Sequence, residues 1–144
     1  MNRIAMTDTE LLIYRHLLLS HMDYVETHRK DTEYRSLSFR ECLLVMFPMG
    51  APSLVTTDGT RLSIQASRTH YSHSDLYSEK LGIEHRSNIG PWRTLEVSPG
   101  NIIEEPDESW RQYYSEDGLW SYIPSRMVAV SYTHLRAHET KANL

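Results

Sequence analysis

The stretch SLVTTDGTRLSIQAS, residues 53–67, decides the fold class. Two runs of β-formers, Ser53–Thr57 and Thr60–Ser67, flank Asp58-Gly59. An Asp-Gly pair between such runs predicts a hairpin, because both central residues of a tight type I′ turn need positive φ. In a two-residue turn Val55 lies opposite Leu62. Leu62, Ile64 and Ala66 then share an apolar face, and Ser63, Gln65 and Ser67 share a polar one. A sheet with one apolar face has to be covered, and a lone hairpin is too small to stand in water.

The cover lies upstream. Thr7-x-x-Glu10 is a capping box: the hydroxyl takes a free helix N–H and the carboxylate reaches back to the cap. Leu11, Tyr14, Leu18, Met22 and Val25 follow at helical spacing, and Leu12, Leu17 and Leu19 widen the apolar face. Met6 directly precedes the cap and, like Met1, can serve as the start. Ser38-x-x-Glu41 is a second capping box, and Phe39, Cys42, Leu43, Met46 and Phe47 form its helical stripe up to Pro48. The charged segment from His28 to Arg35 between them is a loop.

More strands lie downstream. Arg68 to Ile89 is polar and irregular, with a short helix over Leu76–Leu81. Trp92–Val97 alternates as a third strand. Pro106-Asp107-Glu108-Ser109 opens a short helix through Trp110, and Leu119–Ile123 is a fourth strand. Pro124-Ser125 then enters a helix, since proline is tolerated in a first turn. The predicted fold is α+β: two N-terminal helices packed on an antiparallel sheet of three or four strands (hairpin 53–67, strands 92–97 and 119–123), with a truncated C-terminal helix.

The truncation is read from the tail. VSYTHLRAHET, residues 130–140, resembles the forward translation of a transposase-type sequencing-library adapter. Lys141, Ala142 and Asn143 fit a variable index, and Leu144 the resumption of fixed adapter sequence. On this reading residues 1–128 are one native domain and 129–144 are an adapter-derived tail, excluded from fold reasoning as a tag would be.

Composition bounds the function. The chain has 15 basic and 19 acidic residues, a net charge of −4. The tail holds two of those basic residues and one acidic, so the remainder carries −5. An acidic balance argues against a general nucleic-acid coat or a polybasic membrane binder. The single cysteine, Cys42, excludes an intrachain disulfide framework and suits a reducing cytoplasm. No apolar run is long enough to span a bilayer.

Chemistry-bearing residues are sparse. His70-x-x-His73-x-Asp75 has the donor types of a zinc site, but a serine-rich loop gives them no helical geometry. Cys42 sits on an apolar stripe and reads as a small buried hydrophobe, not a nucleophile. The acidic run Glu104, Glu105, Asp107 and Glu108 reads as solvated surface. No catalytic residues, metal ligands or cofactor are assigned. The aromatic residues Trp92, Trp110, Tyr113, Tyr114, Trp120 and Tyr122 supply the core, with some left at the surface. The expected partner surface is Ser63, Gln65, Ser67, His70, Tyr71 and His73. Two other readings stand beside it. Arg29, Lys30, Arg35 and Arg40 around the second helix, with Arg61 beside the hairpin turn, permit a winged-helix nucleic-acid binder. The His70 and His73 loop permits a small metal-dependent hydrolase.

Residues 58–128 resemble small uncharacterised proteins of tailed phages and prophages. The resemblance is carried by Asp58-Gly59-Thr60 leading into Leu62–Ser67, by His70-Tyr71-Ser72, by Leu95-Glu96-Val97 with Pro99, and by Tyr122-Ile123-Pro124. It implies no activity. It implies an accessory or host-interaction role through a protein partner, in the cytoplasm of a bacterial host, for a sequence of metagenomic type.

Sequencing the parent DNA across codons 129–144 tests the tail. The adapter reading expects the coding frame to stop matching genomic sequence near Val128. These codons inside an intact genomic gene would overturn it.

Overall fold

The computed structural model describes residues 5–57, 59–98 and 107–132, with the backbone of 135–137. Asp58, Glu104, Glu105, His134, His138 and Glu139 lie outside the described residues. The order is α1 (Asp8–His28), α2 (Phe39–Val45), β1 (Leu54–Thr56), β2 (Arg61–Gln65), β3 (His73–Ser74), β4 (Trp92–Ser98), a 3-10 helix (Glu108–Tyr113), β5 (Trp120–Pro124), α3 (Ser125–Ser131) and β6 (Leu135–Ala137). The architecture is α+β, with an antiparallel sheet. Two short strands, β3 and β6, are additional to those expected.

Both capping boxes form. Thr7 accepts the Glu10 N–H at 3.2 Å and Glu10 accepts the Thr7 N–H at 3.1 Å. Ser38 and Glu41 repeat the exchange at 3.1 and 3.0 Å. The second helix ends earlier than Pro48 suggests. Met46 is already extended, so Phe47 leaves the stripe and is exposed while Cys42 and Met46 stay buried. With Val25 these two make a small core of their own that fixes α2 to the end of α1.

The hairpin register differs by one from the expected pairing. Leu54 lies opposite Leu62, and Val55 opposite Arg61. The Thr56 N–H donates to Thr60 O at 2.9 Å, and the Gly59 N–H to Thr56 O at 3.0 Å. The loop is therefore three residues long, with Gly59 at φ 90°, a position that favours glycine. Burial selects this register: a one-residue slip exchanges the two faces of a strand. Here both leucines are removed from water, each contributing about 2 kcal/mol.

β4 is the shared strand. It pairs antiparallel with β2, β3 and β5. β1 lies between β2 and β6. One face of the sheet carries Leu62, Ile64, Leu95 and Val97 against Ile13 and Leu17 of α1 and Val128 of α3. The buried line of α1 is Glu10, Ile13, Leu17, His21 and Val25; of the predicted apolar face Leu17 and Val25 lie on it, and the rest of the Leu11–Met22 stripe does not. Leu11, Leu19 and Met22 are exposed. The helix has apolar residues almost all round its first turns, so periodicity does not select a face and docking on the sheet does. Arg126 of α3 pairs with the largely buried Glu10 at 3.0 Å and so joins the two helices.

Trp92 locks α1 to the sheet. Its indole N–H donates to Ser87 O at 2.8 Å. Its ring meets His21 edge-on at 5.7 Å and Tyr14 at 5.9 Å. A Cβ at Gly90 would fall 2.5 Å from that ring, so the close approach requires glycine. Trp110 and Trp120 pack edge-to-face at 5.3 Å beneath β5, as expected of a core built from the aromatic second half. In α3 the buried positions are Val128 and Ala129, while Val130 is exposed. Tyr132 packs on Trp110 at 5.6 Å.

His21 is fully buried. Its Nε2 donates to Ala66 O at 2.6 Å, which leaves Nδ1 as a lone pair without a partner. Protonation would place an unpaired charged N–H in the core. Burial accordingly holds this imidazole down to about pKa 4, against an ordinary 6.5. The unfolded ring takes its proton near pH 6.5 and the folded ring only near 4, so acid favours unfolding. His21 should contribute about 3 kcal/mol above pH 6.5, lost progressively down to pH 4. Urea unfolding measured across that range should show the fall, and His21→Gln should flatten most of it. An unchanged slope in the variant would refute this role.

Candidate functional surface

The polar face of the hairpin is covered, not open. Gln65 lies opposite Glu96 in the β2–β4 register, and both are buried. The Gln65 amide closes a double hydrogen bond with the Ala51 backbone: its oxygen accepts the N–H at 2.6 Å and its nitrogen donates to the carbonyl at 2.9 Å. Ser67 is fully buried. Gln65 and Ser67 are thus structural, and Ser63, half-buried, accepts from the Gln65 amide at 3.1 Å. The expectation that these three form an open contact face is corrected: chain returns over it and uses their polar groups.

The cover has two parts: the Gly50–Ala51 segment lies against Gln65, and the connection from Arg68 to Pro91, which holds no helix over Leu76–Leu81, meets Ser67 and Glu96. Ser78 and Ile83 form an isolated bridge instead. Side chains alternate along it. Tyr71 is exposed and Ser72 buried; His73 is half-buried and Ser74 buried. The small hydroxyls point inward and satisfy backbone groups, as a buried loop requires. Ser74 Oγ donates to Ile89 O at 2.7 Å, and the Asn88 amide donates to Leu43 O and Met46 O at 2.8 and 2.7 Å. The serine-rich composition therefore marks a stitched loop, and the larger rings face outward.

Those rings form a continuous ladder. Tyr77 stacks on His85 at 4.2 Å with 3° between planes. His85 meets His73 edge-on at 6.3 Å. His73 stacks on Tyr122 at 4.5 Å, and Tyr122 leans on Tyr71 at 5.8 Å. The Arg86 guanidinium lies over Tyr71 at 5.6 Å and donates to His70 O at 3.2 Å. Burial and the charges of Arg93, His85 and Arg86 hold His73 below its ordinary pKa.

Tyr122 joins the ladder to the sheet at a backbone cost. It is the described non-glycine residue with positive φ, 54°, a region costing about 1–2 kcal/mol for a side chain with Cβ. The β4–β5 register shifts between Leu95 and Val97. Trp120 and Ile123 both remain in the core, so the two residues between them break the alternation and Tyr122 turns outward. A bulge commonly re-aims a side chain in this way. The Tyr122 N–H donates to Tyr71 O at 3.0 Å, and the Tyr71 N–H donates to the Glu96 carboxyl at 3.1 Å. The Tyr71 residue is held at both ends.

His70 and His73 part company. His70 turns inward, its Nδ1 hydrogen-bonded to Ser67 Oγ at 2.5 Å, and burial lowers its pKa against the opposing pull of Glu96. Among the described residues no three His, Cys, Asp or Glu side chains gather in metal-binding geometry. The Ser67–His70 pair resembles a nucleophile and its base, but a fully buried Ser67 presents no Oγ to a substrate. Of the basic residues, Arg29 pairs with Glu26 at 3.9 Å and lies over Phe39 at 5.6 Å, and Arg35 donates to Thr32 at 3.2 Å. Lys30 is exposed on the α1–α2 connection beside Asp31 and Glu33, and Arg40 is exposed in the first turn of α2 beside Glu41. Arg61 opens β2, and its hairpin lies within the sheet instead of projecting as a wing. No described helix is long and apolar enough to cross a membrane.

Tyr71, His73 and His70 were readable candidates. Tyr77, His85, Arg86, Arg93 and Tyr122 were not singled out for this site. The period-two pattern Tyr71-Ser72-His73-Ser74, large outside and small inside, was the available signal. Comparison with family models, curated proteins and solved structures finds no match.

The backbone at Tyr122 yields a sharp test. Glycine ordinarily weakens a strand relative to alanine. Here Tyr122→Gly should be more stable than Tyr122→Ala by about 1 kcal/mol, since only glycine enters this region freely. Thermal or urea unfolding of the two variants measures it, and the ordinary order would refute the positive φ.

Proposed function

We propose that this protein is a small accessory binding protein of phage or prophage type, acting on a protein partner through the Tyr71–His73–Tyr122 surface in the bacterial host cytoplasm. The observation that carries the reading is the strained Tyr122. A tyrosine kept at positive φ costs stability, and such strain persists where the surroundings over-determine it, often at binding sites. What it maintains is an array of rings, partly exposed, and aromatic side chains dominate binding hot spots. The phage assignment is supported by the sequence resemblance over residues 58–128, and a protein partner by the absence of a catalytic constellation among the described residues.

Affinity capture tests the reading. The tagged chain and its His73→Ala/Tyr122→Gly variant, matched for folding by circular dichroism, are used as bait in host lysate. We expect a discrete host protein retained by the parent and lost by the variant. The same proteins on both baits, or none above background on either, would sink it.

A further inference from the structure

The strand β1 is paired on one side by β2 and on the other by β6. The Thr56 N–H turns to Thr60 O of the hairpin at 2.9 Å. Backbone groups alternate sides along an antiparallel strand, so the N–H and C=O of Val55 face β6. Without β6 they form an open edge. Sheet edges are ordinarily guarded by charge, proline or a bulge. Ser53–Thr57 hold no charged residue and no proline, and the β1–β2 register runs without a shift. An unguarded edge is a template for another strand.

The register of β6 shows which strand fits. Leu135 stands opposite Thr56, Arg136 opposite Val55 and Ala137 opposite Leu54. Antiparallel pairing with a second β1, about a two-fold axis at Val55, gives the same pattern. The second copy's Leu54 falls opposite Thr56, its Val55 opposite Val55, and its Thr56 opposite Leu54. Leu135 therefore holds the place of that leucine and Ala137 that of that threonine. On the adapter reading of the tail, β6 is a chance occupant of this place. The uncharged strand meets no repulsion from its own copy, and a pairing that is its own mirror across the axis closes at two chains.

We propose that the β1 edge is a self-association site, where two copies of this chain pair β1 to β1 antiparallel about Val55, and that β6 competes with the second copy for it. A three-residue strand buries less than a standard stable interface, so the dimer is weak and forms at high concentration. The ring ladder, on β3, β5 and their flanks, is remote from β1 in the strand order and takes no part.

Sedimentation velocity on the full chain, over a range of high concentrations, tests it. Arg136→Pro removes the β6 N–H at the position facing Val55. The parent should sediment as a monomer, and Arg136→Pro should move toward the dimer mass as concentration rises. Val55→Lys or Val55→Glu, each added to Arg136→Pro, sets like charges directly opposite across the axis and should restore the monomer. Mixing the two charge variants should bring the dimer back, because Lys then faces Glu; only a second copy as occupant gives that rescue. Arg136→Pro monomeric throughout, parent and Arg136→Pro equally dimeric, a dimer indifferent to Val55→Lys, or no rescue on mixing would each overturn the proposal. Should Arg136→Pro fail to fold, Val55→Cys in the parent chain carries the test under oxidation, since Cys42 is buried. Paired copies set the two new thiols directly opposite, within reach of a disulfide. Covalent dimer should then form faster than from Thr57→Cys, although Thr57 is the more exposed position; the reverse order would overturn the pairing.

Discussion

A carboxyl group on the central strand organises the outer half of this molecule. Glu96 sits on β4 with little water around it, and a buried polar group of this kind has to be given partners. It is given the Tyr71 N–H. The Tyr71 carbonyl then receives the Tyr122 N–H. Through that one residue the long connection after β2 is tied to two strands at once. The opposite side of β4 faces the core, so the same strand carries both the apolar packing and the polar clamp.

The inner half obeys a different constraint. Trp92 fills the space between α1 and the sheet, and Gly90 exists to let its ring approach. His21 lies against that ring with one nitrogen satisfied and one bare. This costs free energy, yet it ties the middle of α1 to Ala66 at the end of β2. Acid sensitivity of the fold and the docking of α1 are thus two consequences of one contact. The α3–α1 ion pair through Glu10 adds to it from the other end of the helix.

The ladder of rings depends on both halves. The core claims Trp120 and Ile123 on either side of Tyr122, and the register shift in β4–β5 turns Tyr122 outward. The clamp on Tyr71 then sets the connection at the height where His73 can stack on it. Neither the apolar packing nor the loop stitching alone would align these side chains. The ring surface is therefore coupled to the packing beneath β5 and is not an independent loop.

The helix starts and the hairpin were legible in the residues; the helix read over Leu76–Leu81 was not there. Thr7-x-x-Glu10 and Ser38-x-x-Glu41 marked both helix starts, because a capping box satisfies its own orphan N–H groups without outside help. Asp58-Gly59 marked the hairpin, and alternation marked β4, since a strand's faces are set by its own period; β5 was marked by its β-forming residues between Gly118 and Pro124, while its broken alternation was not. Tertiary structure decided what depended on distant partners. It chose the buried line of α1, where apolar residues on several sides left periodicity undecided. It moved the hairpin register by one, because burying Leu54 with Leu62 outweighs the preference of a two-residue turn. It closed the polar face of β2, since the hydroxyls and amides of Ser67, Ser72, Ser74 and Asn88 could satisfy a returning chain. It also assembled Tyr71, His73, Tyr77, His85 and Tyr122, residues from β3, β5 and the connections on either side of β3. Beyond the alternation that joins Tyr71 to His73, no local pattern relates them, because β3 and β5 meet only through their pairing with β4.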